Sequence, residues 1–338
     1  MKITTALAPR FLGRGKIEFV ERPVPAPGPG QLLLRVRANA ICGTDRAQYY
    51  EGSDIVPGHE AVGTVDAAGL NTSTPIGTTG AVYLMDYCGH CRSCALGITN
   101  QCLAKRADMG FTNDGGFGPY ELVHETNFFP VPDDLSPVDA TLLLDVMGTS
   151  RHAIQRAQLV RSDIASIYIG GAGPIGLGLL VVARLTFGPD VAIHISDISQ
   201  WRREYATRLG GTAFDPADPA QIDALPPSDI AFDSTGKQVA RQVALGALGK
   251  RGALICVGHG ESLTLDVSAD LIAPERAVLG SEYFPFTDLA ANLELLRANR
   301  DALRAVITHT FPVEELDEAF EAFLSGKTGK VVVTQEAS

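Results

Sequence analysis

The chain has 338 residues, enough for about two domains at roughly 150 residues each. Of these, 45% are hydrophobic and 20% charged, which supplies material for real cores and excludes a collagen-like or mostly disordered chain. With 28 Lys+Arg against 39 Asp+Glu the formal charge is −11, a balance that repels phosphate backbones, so no nucleic-acid partner is expected. The densest basic cluster, Trp201-Arg202-Arg203, reads as a solvated helix face. No apolar run reaches the ~18 residues of a membrane span. The start, Met1-Lys2-Ile3-Thr4-Thr5, lacks the charged, apolar and cleavage regions of a signal peptide. The expectation is a cytoplasmic protein without membrane association, whose cysteines are metal ligands or core residues rather than disulfides.

Along the chain, the apolar run Leu32-Leu33-Leu34-Arg35-Val36 reads as a strand leading into Ile41-Cys42-Gly43-Thr44-Asp45, and Pro57-Gly58-His59-Glu60 follows. Each piece alone is weak, because a lone Cys or His is more often a packing residue. Together Cys42, His59 and Glu60 offer a thiolate, an imidazole and a carboxylate, the donor set of an open catalytic zinc site. Thr44 adds a hydroxyl able to take a proton from a metal-bound oxygen. Tyr49, Tyr50, Glu51 and Asp54 can bind substrate hydroxyls or an amine, or simply form a solvated loop. Cys88, Cys91, Cys94 and Cys102 then spell C-x2-C-x2-C-x7-C, in a lobe over about residues 86–104. Four thiolates suit a closed tetrahedral structural zinc. An iron–sulfur cluster is the sharper competitor, but those motifs usually continue with x3-C-P. A disulfide pair suits a cytosolic chain poorly, and His90 inside the loop reads as solvent-facing.

From Ser166 the character changes. Ile167-Tyr168-Ile169 reads as a strand, and Gly170-Gly171-Ala172-Gly173-Pro174-Ile175-Gly176 opens a helix-compatible run. Gly171, Gly173 and Gly176 form G-x-G-x-x-G, with Pro174 and Ile175 at the start of the helix whose N-terminus would face a pyrophosphate. A second strand, Val191 to Ile195, ends near Asp197, which lies 21 residues beyond Gly176. A carboxylate there suits adenosine ribose hydroxyls and favours NAD; the alternative role is a helix N-cap. Arg202 and Arg203 keep NADP open. Strands at Asp229–Asp233 and Ala253–Val257, with helical stretches between, complete the pattern of a doubly wound parallel sheet over about residues 150–284. Val257 and Gly258 fall at its carboxyl edge, where nucleotides bind, and Cys256 reads as strand core.

With these motifs in this order, the chain resembles the zinc-containing medium-chain dehydrogenase/reductase family. The resemblance runs nearly end to end, taking in Pro27-Gly28-Pro29-Gly30, Gly115-Gly116-Phe117-Gly118-Pro119-Tyr120 and Gly326-Lys327-Thr328-Gly329-Lys330-Val331-Val332-Val333. It implies an α/β chain: a GroES-like, β-rich catalytic domain over 1–149, a Rossmann dinucleotide-binding domain over 150–284, and a return of 285–338 to the catalytic domain. It also implies a homodimer or homotetramer, two Zn²⁺ per chain, and NAD, with NADP as the alternative. Cys42 and His59 match the first two catalytic-zinc ligands, and Glu60 the carboxylate that binds the metal or lies beside it. In the sequence Leu144-Asp145-Val146-Met147-Gly148, Asp145 stands where relatives carry a third ligand, although the following Pro of many relatives is missing. Thr149 matches a position on the nicotinamide side. Ala47 replaces a His that in many relatives passes the alcohol proton to solvent, leaving His152 and His259 as candidate bases by rough placement.

The implied activity is NAD(P)-dependent oxidation of an alcohol CH–OH group, with a polyol, cyclitol or sugar alcohol as the expected substrate. Three alternatives stand beside it: a 3-hydroxy amino acid dehydrogenase of the threonine type, a zinc-free NADPH-dependent reductase of the same superfamily, and an inactive NAD-binding sensor.

Overall fold

The computed structural model describes residues 4–335. Met1, Lys2 and Ile3, on which part of the signal-peptide reading rests, lie outside the described residues. No helix among the described residues is long and apolar enough to cross a membrane.

One half of the molecule is a six-stranded parallel sheet. Its strands are Ser166–Gly170, Ala192–Ser196, Thr212–Phe214, Ser228–Asp233, Leu248–Cys256 and Ala277–Gly280. Their spatial order is third, second, first, fourth, fifth, sixth, and every pairing is parallel. That order reverses direction between the first and fourth strands, which opens a crevice at their carboxyl ends. Central strands covered on both faces must be apolar along their whole length, and Ile167, Tyr168, Ile169, Ile230 and Phe232 are all buried. The first crossover helix, Pro174–Phe187, starts with Pro in its first turn and stops at Gly188, whose φ of 88° ends the helix at no steric cost. The short third strand and the sixth were not singled out in the sequence; neither has a long apolar run.

The other half is a seven-stranded sheet. Along it run Ile307–Pro312, Lys330–Thr334, Gln31–Ala40, Ala61–Ala68, Thr79–Val82 and Phe128–Pro130, with Tyr120–His124 paired to Gln31–Ala40 off this path. Lys330–Thr334 lies between strands from opposite ends of the chain, parallel to Ile307–Pro312 and antiparallel to Ala38–Ala40. A hairpin, Thr5–Gly13 with Lys16–Pro23, packs beside it, and Phe11, Tyr49, Phe117 and Phe320 form an aromatic cluster at the junction.

Two surface expectations change. Tyr49 is a core residue stacked on Phe320 at 4.6 Å, because the short helix Asp45–Glu51 turns that side inward, while Tyr50, Glu51 and Asp54 are exposed. Trp201-Arg202-Arg203 is not a solvated face: all three are half-buried, and Arg203 donates to the Asp197 carbonyl at 2.8 Å and meets Asp215 at 3.1 Å.

Candidate active site

The strand Gln31–Ala40 delivers Cys42 just past its end, the strand Ala61–Ala68 begins directly after His59 and Glu60, and Asp145 opens a single π-helical turn, Asp145–Thr149. One ligand atom from each of Cys42, His59, Glu60 and Asp145 falls within 4.8 Å of all the others. Wide turns of this type recur at functional sites. This one is held in place by contact: a Cβ on Gly178 would lie 2.6 Å from the Val146 carbonyl, and one on Gly148 would collide with the Phe284 ring. The turn bearing Asp145 therefore rests directly on the first crossover helix of the nucleotide half.

Neighbouring side chains orient these groups. Asp45 accepts from the Cys42 N–H at 2.9 Å, and its other oxygen lies 3.1 Å from His59 Nδ1, though off the hydrogen-bonding direction. The other ring nitrogen, Nε2, lies 3.7 Å from Asp145. Asn39 accepts from the Glu60 N–H at 3.1 Å. Lys330, buried, donates to Glu60 Oε1, while Glu60 Oε2 has no partner.

The electrostatics are those of a buried cluster with compensating charges. Burial and the neighbouring Asp145 push Glu60 up to about 8, against the pull of Lys330 and His59. Burial alone would raise Asp145, yet the nearby His59, aided by Lys330, holds it below the ordinary carboxylate range. Burial opposes charge on His59, and Asp45 and Asp145 outweigh it, so the imidazole lies well above its usual value. A sulfur, a nitrogen and two carboxylates around an unpartnered Glu60 oxygen fit a zinc ion of the open type. Thr44 is exposed and makes no side-chain capping bond, so its hydroxyl is free.

The four lobe cysteines also converge within 4.8 Å, and all are free thiols. Their sulfurs receive backbone N–H groups: Cys91 N on Cys88 Sγ at 3.3 Å, Cys88 N on Cys102 Sγ at 3.3 Å, and Leu103 N on Cys91 Sγ at 3.4 Å. Such donors favour thiolates, and backbone hydrogen bonding brings Cys91 down to about 6, while burial drives Cys94 up to about 12. The set fits a closed tetrahedral zinc. His90 is exposed and turned to the Cys88 carbonyl at 2.9 Å, away from the sulfurs.

On the nucleotide side, Gly171 has φ 92°, and a Cβ there would meet Thr235 and Ser234; a Cβ on Gly176 would lie 1.8 Å from the Gly171 carbonyl. Only glycine fits either position. Asp197 accepts from Ala172 N–H at 2.9 Å and from Ser199 N–H at 2.8 Å, and so braces the glycine loop. The helix Gln200–Arg208 is capped by Ser199 rather than by Asp197. Arg202 donates through Nε to the Thr328 carbonyl at 3.2 Å, and its Nη1 lies 3.7 Å from where a Gly173 Cβ would stand. Gly173, Pro174 and Ile175 begin the helix beside it, and Thr149 is buried in the Asp145 turn. Val257 and Gly258 line a cavity at the sheet's carboxyl edge, together with His152, Cys256 and His259.

Asp45, Asn39 and Lys330 escaped the sequence reading as functional residues. Asp45 and Lys330 lie inside quoted motifs, but nothing in their spacing says that they meet His59 and Glu60. Asn39 carried no signal at all.

A model of the alcohol dehydrogenase GroES-like domain matches residues 28–133, and one of a zinc-binding dehydrogenase domain matches 217–333. An L-threonine 3-dehydrogenase from Deinococcus deserti is 30% identical, over 96% of this chain and 97% of that protein. Among solved structures, acetophenone reductase from Geotrichum candidum in complex with NAD is 26% identical with a TM-score of 0.86, covering 99% of this chain and 98% of the other. A putative zinc-binding dehydrogenase from Sinorhizobium meliloti bound to NADP is 25% identical with a TM-score of 0.83, covering 98% of this chain and all of the other.

Proposed function

This chain belongs to the zinc-containing medium-chain dehydrogenase/reductase family, and from that premise we propose that it transfers a hydride between a secondary alcohol of the polyol, cyclitol or sugar-alcohol class and the nicotinamide of NAD. Cys42, His59, Glu60 and Asp145 would hold a catalytic zinc, and Cys88, Cys91, Cys94 and Cys102 a structural one. The observation that carries the reading is the convergence of those four dissimilar donors within 4.8 Å, beside the turn that packs on the nucleotide half.

The chemistry a zinc supplies there is Lewis acidity toward an alcohol oxygen. The chain's own residues do the rest. Thr44, with its free hydroxyl, takes the substrate proton and releases it to water or the cofactor ribose, since Ala47 offers no base. Gly171, Gly173 and Gly176 let the backbone approach the pyrophosphate, Asp197 holds the ribose hydroxyls, and Arg202 stands beside the phosphates. Thr149, Val257 and Gly258 position the nicotinamide against the metal site.

A 3-hydroxy amino acid is the second reading, favoured by the similarity to an L-threonine 3-dehydrogenase. The full donor set argues against a zinc-free reductase. Purified, zinc-replete protein assayed for reduction of NAD and NADP across polyols, simple secondary alcohols and hydroxy amino acids tests the assignment. Turnover of polyols with NAD supports it, preference for L-threonine moves it to the second reading, and NAD binding without any turnover marks a sensor.

A further inference from the structure

Between the cysteine lobe and the carboxyl ends of the last two parallel strands lies a cavity of about 810 Å³. It is large enough for a small ligand next to a cofactor. Its wall joins three parts of the chain: Asn100 from the lobe, His152 from the helix that follows the Asp145 turn, and His259 with Ser281 and Glu282 from the loops after the fifth and sixth strands. His259 Nε2 lies 3.0 Å from Glu282 Oε2, an ion pair made across two loops. The segment bearing Glu282 is anchored firmly. Asn100 Nδ2 donates to the Glu282 carbonyl at 2.7 Å, Phe286 N donates to Thr99 Oγ1 at 2.7 Å, and Tyr83 OH donates to the Phe284 carbonyl at 2.5 Å.

Two observations point to a ligand. Asn100, Ser281 and Asp288, all in this wall, each carry a buried polar atom with no hydrogen-bond partner, an arrangement that is costly unless something completes it. Next to Glu282, Tyr283 has φ 44°, in the left-handed region that bulky residues avoid. Strain of this kind is kept where a site requires it. The same segment touches the metal side, since Phe284 packs against Gly148 of the Asp145 turn.

The chemistry of the wall selects among ligands. Arg241 is spent on Asp233 and the Gly258 carbonyl, and Arg156 Nε on the Gly280 carbonyl. His259 and Glu282 neutralise each other. What remains on offer is the Asn100 amide oxygen, the Ser281 hydroxyl, one Asp288 carboxylate oxygen and imidazole N–H groups, an acceptor-rich set that matches a neutral molecule carrying several hydroxyls better than a carboxylate or a phosphate.

Building on the dehydrogenase reading above, we propose that the His259–Glu282 pair, with Ser281 and Asn100, forms the subsite that grips the non-reacting hydroxyls of a neutral polyhydroxylated substrate and so sets specificity. These are specificity residues; hydride transfer does not pass through them. A site built to hydrogen-bond hydroxyls discriminates strongly against analogues lacking them.

The test compares Glu282→Ala and Glu282→Gln with the unaltered holoenzyme, using sorbitol, 2-butanol and L-threonine as probes. Expected is a rise of about tenfold or more in KM for sorbitol in Glu282→Ala, with kcat, zinc content, the KM for NAD and the KM for 2-butanol unchanged. Glu282→Gln, which keeps one hydrogen bond to His259, should fall between. Equal changes for sorbitol and 2-butanol, no change for either, or a change confined to L-threonine overturns the proposal. If the holoenzyme oxidises no alcohol, the dehydrogenase reading fails, but the subsite is still tested. Saturable movement of the His259 ring resonances on adding sorbitol to the protein with NADH, lost in Glu282→Ala, supports it, and absence of movement overturns it.

Discussion

The two clusters of metal-ligating side chains are opposites in construction. The cysteine lobe gathers its four sulfurs from Cys88 to Cys102, from half-exposed residues on one short stretch, with backbone N–H groups as its support. The Cys42–His59–Glu60–Asp145 cluster draws on three separate segments, and its charge partner, Lys330, comes from near the other end of the chain. The first site is a local loop that closes on itself. The second exists only when the whole fold does: its side chains are held by the surrounding structure rather than by one another, the construction that the proposed open metal site requires.

The sharpest way to break this contrast is to delete one thiolate from each site. Cys42→Ala should lose one zinc per chain, keep the other, and lose activity by at least about 10³-fold, equivalent to ~4 kcal/mol of transition-state stabilisation. Cys94→Ser should do the reverse in metal content, keeping the buried ion. Metal analysis of both variants, with kinetics, reads the outcome; loss of both ions from either one would show the sites to be coupled. Next in size, Lys330→Met leaves the buried Glu60 carboxyl without its hydrogen-bond donor and should cost about 3 kcal/mol, seen as a lower denaturation midpoint. A change within a few tenths of that midpoint would mean that Glu60 is held by other means.

A smaller effect refines the comparison. Glu121 stands opposite Leu34 on the buried face of the seven-stranded sheet, with neither carboxylate oxygen partnered, and burial pushes it up to about 8. An acid whose folded value is raised binds its proton more tightly in the folded state. Its contribution is therefore intact at low pH and declines as pH rises from the ordinary carboxylate range through about 8, where it levels off. Glu121→Gln should remove that slope, gaining on the unaltered protein by on the order of 3 kcal/mol at pH 9 relative to pH 5. Denaturation midpoints measured across that range decide it, and parallel curves would show the group to be solvated.

The same contrast explains what could be read from the sequence. The lobe was visible as C-x2-C-x2-C-x7-C and the nucleotide loop as G-x-G-x-x-G between a strand and a helix, because in both the chemistry is carried by neighbours along the chain. The central strands were visible because burial on both faces demands unbroken apolar runs; Thr212–Phe214 and Ala277–Gly280, at the sheet's edges, were not. Asp145 was reached only through family resemblance, and Asp45, Asn39 and Lys330 not at all, since their roles depend on contacts that spacing does not encode. Tyr49 misled for a related reason: a polar tip does not reveal that its ring fills a gap beside Phe320.

The placement of Lys330–Thr334 bears on how the chain is made. That strand follows the other strands of both sheets in chain order, yet it fills the slot between Ile307–Pro312 and Ala38–Ala40 and brings the ammonium that bonds Glu60. All six strands of the parallel sheet are present once Gly280 has emerged, while the other sheet still has an open seam. A nascent chain that has not yet reached Lys330 therefore carries Cys42, His59, Glu60 and Asp145 but lacks the strand and the ammonium that complete their surroundings.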